Sequence, residues 1–193
     1  MVGHMPGPLS TMRFAVVDVE TSGLDLRRHH VLQIGVVVVD GDGVVLDRWS
    51  SLVAPRNRWF FRVGPTHIHG IHRRDLRHAP AAAGVLEELA RRLVGAQFVA
   101  HNARFDAGFL LKAADGSGVA LALGDTLCTL MMSRRLDPQR QLSHRLGDLC
   151  SRYGVELVRP HDALADAEAT AAVLPYLLQA SGITSADQLP AAS

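Results

Sequence analysis

The spacing of apolar residues changes character along the chain, and each change marks an element. Phe14–Val19 is a short β-branched run closed by Thr21-Ser22-Gly23, and Val31–Val39 is a longer, nearly continuous one. Val44–Val53 follows after Asp40-Gly41-Asp42-Gly43, a four-residue cluster of hairpin-forming residues. These runs predict three strands in an antiparallel meander. Pro55 to Pro65 reads as a loop, although it holds Trp59, Phe60 and Phe61. Beyond Pro80 the period becomes helical: Val85, Leu86, Leu89, Leu93 and Val94 line one face, ending near Gly95. Phe98–Ala100 predicts a short buried strand, and Ala103–Ala114 a helix with Phe105, Phe109 and Leu110 turned inward. Another strand is predicted near Leu121–Leu123, leading into a helix Leu127–Leu136 that Pro138 closes. Helices over Leu142–Tyr153 and Asp162–Ala180 complete the chain, the last bent at Pro175. Strands first, then strands alternating with helices, predict an α/β fold. Its central sheet is mixed, antiparallel in the first three strands and parallel afterwards, with helices on its flanks.

Length and composition narrow the class. The 193 residues suit one domain, with 48% hydrophobic and 20% charged residues. The organisation read from the sequence is a flexible N-terminal segment 1–12, whose Gly3-His4-Met5 resembles a cloning remnant, a domain over 13–180 and a tail over 181–193. No stretch approaches the roughly 18 apolar residues of a membrane span, and residues 1–12 lack the apolar centre of a signal peptide. The expectation is a cytoplasmic protein with no membrane partner. Cys128 and Cys150 lack metal-ligand spacing and read as small buried hydrophobes. A net charge of +1 disfavours non-specific coating of nucleic acid, while leaving it open as a substrate. The basic residues are nearly all Arg, with Lys112 the single lysine.

Against that background four carboxylates stand out. Asp18 and Glu20 lie two apart at the end of the first strand, so both point to one face. Side by side they repel unless a cation neutralises them, and such oxygen ligands suit Mg²⁺ or Mn²⁺. Taken alone, the pair reads almost equally well as a solvated strand end. Asp106 follows the polar turn His101-Asn102 in the first turn of a helix, where acids are common. Asp162 is placed to cap the last helix, with Asp166 one turn further on the same face and His161 on the loop above.

The segments VVDVETSGLD (Val16–Asp25), HNARFDAGFL (His101–Leu110) and HDALADA (His161–Ala167) together resemble, in order, the three motifs of the DEDDh (DnaQ-like) 3′–5′ exonucleases. IHGI at Ile68–Ile71, DTL at Asp125–Leu127 and LSHRLGDLCSRYGV at Leu142–Val155 extend the likeness over roughly Arg13 to Leu178. The resemblance implies an RNase H-like sheet. It also implies metal ligands at Asp18, Glu20, Asp106 and Asp166, two Mg²⁺ or Mn²⁺ ions per site, and His161 as general base. Two-metal hydrolysis uses ions about 3.5–4 Å apart to activate water and to stabilise the leaving 3′-oxygen, and an imidazole titrating near 6.5 is suited to take the water's proton. Substrate contacts are implied for the Thr21 backbone, Leu24, His69 and Phe105, with Asn102 fixing the turn before Asp106. For Leu24 and Phe105 a place in the core is an equal alternative, and His67 and His72 read as surface residues.

The activity implied is release of nucleoside 5′-monophosphates from the 3′ end of single-stranded DNA, in proofreading or repair, with a DNA polymerase as a candidate partner. An exoribonuclease is the alternative within the enzyme class, although Thr21 stands where oligoribonucleases carry Met. A non-catalytic nucleic-acid-binding protein is the alternative outside it. The Arg/aromatic loop Arg56–Arg62 offers either base stacking or simple packing of its rings.

Overall fold

The computed structural model describes residues 8–55 and 61–190. Five strands form one sheet in the order β3-β2-β1-β4-β5. β1 (Arg13–Thr21), β2 (Val31–Asp40) and β3 (Val45–Leu52) form the expected antiparallel meander, and β4 (Gln97–Ala100) and β5 (Thr126–Cys128) add to the other side of β1 in parallel. The helices are α1 (Thr66–His69), α2 (Ala82–Leu93), α3 (Ala103–Ser117), α4 (Thr129–Arg135), α5 (Leu146–Tyr153) and α6 (Ala163–Ala180). The mixed α/β architecture is the one the hydrophobic pattern predicts.

Period-2 alternation sorts the strand residues between two cores. Ala15, Val17 and Val19 of β1 pack with Ile34, Val36 and Val38 of β2 against Val85, Leu86 and Leu89 of α2 and Phe109 and Leu110 of α3. Phe14, Val16, Val37 and Val39 face the other way, against Met132, Leu149, Cys150, Val173, Leu174 and Leu177 of α4, α5 and α6. Because both faces of β1 and β2 are covered, their sequences are apolar almost without interruption. A smaller cluster of Leu32, Ile71, Leu76 and Ala79 anchors the segment that returns from β3 to α2.

Two boundaries differ from the sequence reading. Leu121–Leu123 is not a strand; β5 is Thr126–Cys128, taken from the front of the stretch read as a helix, and α4 starts only at Thr129. The cause is pairing rather than propensity, since Phe98, Val99 and Ala100 of β4 align with Thr126, Leu127 and Cys128. Likewise α5 begins at Leu146, not Leu142, because Asp137 accepts the backbone N–H groups of Gln141 and Leu142 and holds them in a loop. Pro175 lies inside α6 without ending it, and Pro8 bridges to Ser185, so the described N-terminal residues lie against the C-terminal segment.

What positions the chemistry is the close seating of α6 on the sheet. Gly35 of β2 pairs with Asp18, and a Cβ built there would stand 2.3 Å from the backbone carbon and oxygen of Ala163 and 2.5 Å from the nitrogen of Leu164. Only glycine lets the first turn of α6 come this near to β2, beside Asp18 of β1. Next to it, Gln33 Oε1 accepts the Ala163 N–H at 3.4 Å, one of the donors the helix start leaves over. We expect Gly35→Ala to cost about 3 kcal/mol, because backbone must move rather than a side chain. At about 2–4 °C per kcal/mol for a chain of this size, that lowers the melting temperature by roughly 6–12 °C. A variant that melts with the wild type would contradict this seating of α6.

Candidate active site

β1 runs past its parallel neighbour. Its pairing with β4 stops at Val16–Val99, leaving Val17–Thr21 without a partner on that side. Into this gap the chain turns at Asn102, which takes a left-handed conformation (φ 77°, ψ 50°), and starts α3. Asn tolerates that conformation better than most residues, so its place at the turn follows from its backbone. The first turn of α3 then brings Asp106 against β1, where its Oδ1 accepts the Val19 N–H at 3.2 Å.

Asp18 and Glu20 share the α6 side of β1, as their spacing requires. Across from them, Asp162 caps α6 by accepting the Ala165 N–H at 3.1 Å, as expected from the sequence. Asp166 follows one turn on. The Asp166 Oδ2 accepts the backbone N–H of His161 at 3.2 Å, while its Oδ1 is buried with no hydrogen-bond partner. His161 holds a left-handed conformation (φ 66°) that closes this contact. Its ring, the Glu20 carboxylate and the Asp166 carboxylate each offer an atom within 4.8 Å of the others.

The electrostatics show how crowded this acid group is. Burial, followed by repulsion from Asp166 and Asp162, pushes Glu20 up to about 8. Asp18 lies well above the usual carboxylate range, through burial first and then the charges of Asp106, Asp166, Glu20 and Asp162. Burial also drives Asp106 well up, against the opposing hydrogen bond from Val19. It raises Asp166 as well, against the contact with His161. Asp162 thus joins the acids that face this point, a role that the sequence reading, which gave it only the helix cap, did not assign. The signal for it was its four-residue spacing from Asp166 on one helix face.

The donor set fits divalent cations. Carboxylate oxygens of Glu20 and Asp166 come together with the His161 ring, and one Asp166 oxygen is buried and unpartnered. Burial with mutual repulsion disfavours the acids' negative charges unless positive charge arrives. This gives a checkable linkage. A carboxyl group whose pKa is raised by folding stabilises the fold below its unfolded value and loses that contribution as pH rises through its folded value. For Glu20 the window is from 4.5 to about 8. In EDTA the melting temperature should therefore fall across that window. The increase produced by Mn²⁺ should grow across it, reaching roughly 5–10 °C when the ion is at about a hundredfold its Kd. A pH-independent Mn²⁺ shift would contradict the linkage.

The remaining sequence-predicted residues are spread around this centre. Thr21 is buried, and its hydroxyl donates to the Gly23 carbonyl at 2.9 Å, which leaves its backbone at the turn. Leu24 is 83% exposed, so the core alternative for it is wrong. Phe105 is half-buried and packs on Phe109 with ring centres 4.9 Å apart. His69 is buried, accepting the Ile71 N–H at its Nδ1. Burial lowers its pKa, opposed by the Val63 backbone and aided by His72, His67 and His161. His67 and His72 are exposed, as expected. The segment leading into α1, which carries His69, reaches the Thr21 turn through Gly64 (φ 84°), where a Cβ would meet the Ser22 oxygen at 2.2 Å. Lys112 secures the Leu24 loop from below, donating to the carbonyls of Leu26 and His29 at 2.6 and 2.8 Å. Of the Arg/aromatic loop, residues 56–60 lie outside the described residues, and Phe61 packs against the Leu32–Ile71 cluster.

Comparison with known proteins agrees with this geometry. A model of the exonuclease family (RNase_T) matches residues 15–174. The chain is 34% identical over 167 residues to a DNA polymerase III PolC-type from Halalkalibacterium halodurans, covering 86% of this chain and 11% of the polymerase. It is 33% identical over 172 residues to the Staphylococcus saprophyticus PolC-type enzyme, covering 89% and 12%. The chain thus spans about a ninth of the length of these relatives. Among solved structures, exonuclease X in complex with 5′ overhanging duplex DNA matches at 26% identity with a TM-score of 0.68, covering 93% of this chain and 97% of that one. Escherichia coli exonuclease I in complex with a dT13 oligonucleotide shares the fold at a TM-score of 0.76 and 18% identity, covering 89% and 42%. With the three motifs present in order and the family model spanning residues 15–174, the chain belongs to the exonuclease family, in its DnaQ-like group.

Proposed function

We propose that the chain is a divalent-metal-dependent 3′–5′ exonuclease that removes nucleoside 5′-monophosphates from single-stranded DNA, in proofreading or repair. The observation that supports this reading is that Glu20, Asp166 and His161 offer ligand atoms within 4.8 Å of one another at the free end of β1, in a member of the exonuclease family whose Asp106 is held against the same strand and whose Asp18 feels the charges of Asp106, Asp166 and Glu20. Bound by the four carboxylates, two Mg²⁺ or Mn²⁺ ions supply the acidity that activates water and the positive charge that stabilises the departing 3′-oxygen.

The chain's own residues do the rest. His161, exposed on its loop, accepts the proton of the attacking water at a ring nitrogen as the new P–O bond forms and the bond to the 3′-oxygen breaks. Its backbone N–H holds Asp166 by one oxygen and leaves the other buried and free to take a cation. The Thr21 backbone, Leu24 and His69 surround the terminal nucleotide, Phe105 packs on the next base, and Asn102 sets the turn that brings Asp106 to β1. The DNA bound by the two solved relatives and the polymerase context of the sequence relatives favour DNA over RNA and a proofreading or repair setting.

The test is a time course on 5′-labelled DNA and RNA oligonucleotides of one sequence with Mg²⁺, Mn²⁺ or EDTA. A metal-dependent ladder shortening from the 3′ end, faster on DNA, is the expected result. Faster shortening of RNA would replace the reading with an exoribonuclease. No cleavage of either strand in either metal would point to a binding protein.

A further inference from the structure

Most of the charged arginines with resolved contacts are tied to acids: Arg92 to Asp47 and Glu88, Arg91 to Glu88, Arg48 to Glu168, Arg74 to Asp75. Beyond the β5 edge of the sheet the pattern breaks. A cavity of about 610 Å³ opens there, lined by Met131, Arg134, Arg135, Arg140, Leu142 and His144. Among the described residues, none of these three arginines has an ion-pair partner; Arg134 makes only a 4.0 Å contact to the Met131 sulfur. The one acid at the cavity, Asp137, is 8% exposed, and its oxygens are taken by the Gln141 and Leu142 N–H groups at 3.1 and 2.8 Å and by His144 at 3.3 Å. It offers the guanidinium groups nothing. Three arginines therefore line one concavity without an ion-pair partner among the described residues.

The cavity is built, not a chance gap between mobile side chains. Arg134 and Arg135 come from the last turn of α4, and Arg140 sits in a left-handed conformation (φ 56°) that the Asp137 contacts to the following two residues hold in place. His144 in its wall bonds to Ser133 through Nδ1 at 2.8 Å, and its carbonyl bonds to His101 Nε2 at 3.0 Å. His101 is the residue before Asn102, at the turn that delivers Asp106. The His101 imidazole thus ties the wall of the basic cavity to the turn that leads into α3. A second cavity of about 280 Å³ shares Asp137 and Leu142 with the first and continues to Arg152 and Tyr153, whose ring stacks on Tyr176 at 5.2 Å. Basic groups followed by an aromatic platform along one groove match the needs of a single strand, whose phosphates seek guanidinium forks and whose bases seek flat rings. The volume suits a nucleotide unit rather than a lone anion.

We propose that this groove holds the phosphodiester backbone of the substrate strand several nucleotides upstream of its 3′ end, with Arg134, Arg135 and Arg140 on the phosphates. The inference rests on the exonuclease reading for what enters the acid site, and its test is separable from that reading. The probes are 5′-fluorescein single strands, a 20-mer and a trinucleotide too short to span both places, in DNA and RNA forms, titrated in EDTA by anisotropy at several salt concentrations. Each phosphate neutralised on a single strand contributes about 0.7 to the slope of log affinity against log salt. The triple variant Arg134→Gln, Arg135→Gln, Arg140→Gln should bind the 20-mer about tenfold or more weakly, with a slope shallower by about 2. The trinucleotide should show no such change of slope.

An unchanged slope for the 20-mer overturns the groove, whatever the enzyme hydrolyses. An equal change for the trinucleotide overturns it as well, since the arginines would then act at the terminal site. If the wild type cleaves nothing but the slope falls as stated, the exonuclease reading fails and the groove stands. The two sugar forms show whether the backbone it takes is that of DNA, RNA or both.

Discussion

Asp106→Asn should abolish hydrolysis and, in EDTA, leave the protein at least as stable as the wild type. The two effects share one cause. Asp106 is 3% exposed, and its charge is disfavoured by burial and by Glu20. It also raises Asp18, on which it is the largest effect after burial. An amide of the same shape removes that repulsion, and its oxygen still accepts the Val19 N–H that Asp106 holds at 3.2 Å. The fold therefore loses no hydrogen bond and sheds an unfavourable charge. Function loses a full negative charge from the proposed cation site, and removing one such electrostatic element costs on the order of 10³-fold in turnover. Turnover on a 5′-labelled strand and melting in EDTA check the two halves. An Asn variant that melts well below the wild type would show Asp106 to be a structural acid, and one that retains turnover would remove it from the site.

The same residue shows what the sequence could and could not convey. Asp106 was legible as a member of a motif, yet its local reading, an acid in the first turn of a helix, is ordinary. What makes it unusual is the gap left where β1 outruns β4, a matter of the relative lengths of two strands far apart in the chain. Asp18 and Glu20 were legible from period 2 alone, because strand geometry fixes faces. Gly35 was not. Within VLQIGVVVV it looks like a weak point in a strand, and its purpose appears only when the backbone of Ala163, far along the chain, is set against it. The two cores were foreseeable because alternation and helical period are local signals. β5 was missed because three residues carry too little pattern to outweigh the helical run that follows, and only pairing with β4 makes them a strand. The arginine cavity shows the same limit, since Arg134-Arg135 looks like other Arg pairs until the nearby Asp137 is seen to be engaged by backbone and His144 instead.

His161→Asn should lower kcat by about 10²–10⁴-fold while the Kd for a single-stranded oligonucleotide changes by no more than about threefold. Asparagine is the informative replacement. His161 occupies a left-handed backbone conformation (φ 66°) and uses its N–H to hold Asp166. Alanine pays a penalty of roughly 1–2 kcal/mol there and disturbs the contact, whereas asparagine tolerates the conformation. His161→Ala should therefore lose turnover as sharply and lose some thermal stability besides. The Asn variant keeps the backbone and removes only the ring, so its loss reports the imidazole. Because the side chain is exposed, free imidazole can reach its place, and added imidazole should restore part of the activity of His161→Gly, in which backbone is unhindered and space is opened. Rescue that rises with imidazole concentration is a signature a purely structural role would not give. Loss of binding with normal turnover, or variants that imidazole leaves unchanged while Asn retains wild-type kcat, would take the proton-accepting role away from His161 and leave it as the residue that only orients Asp166.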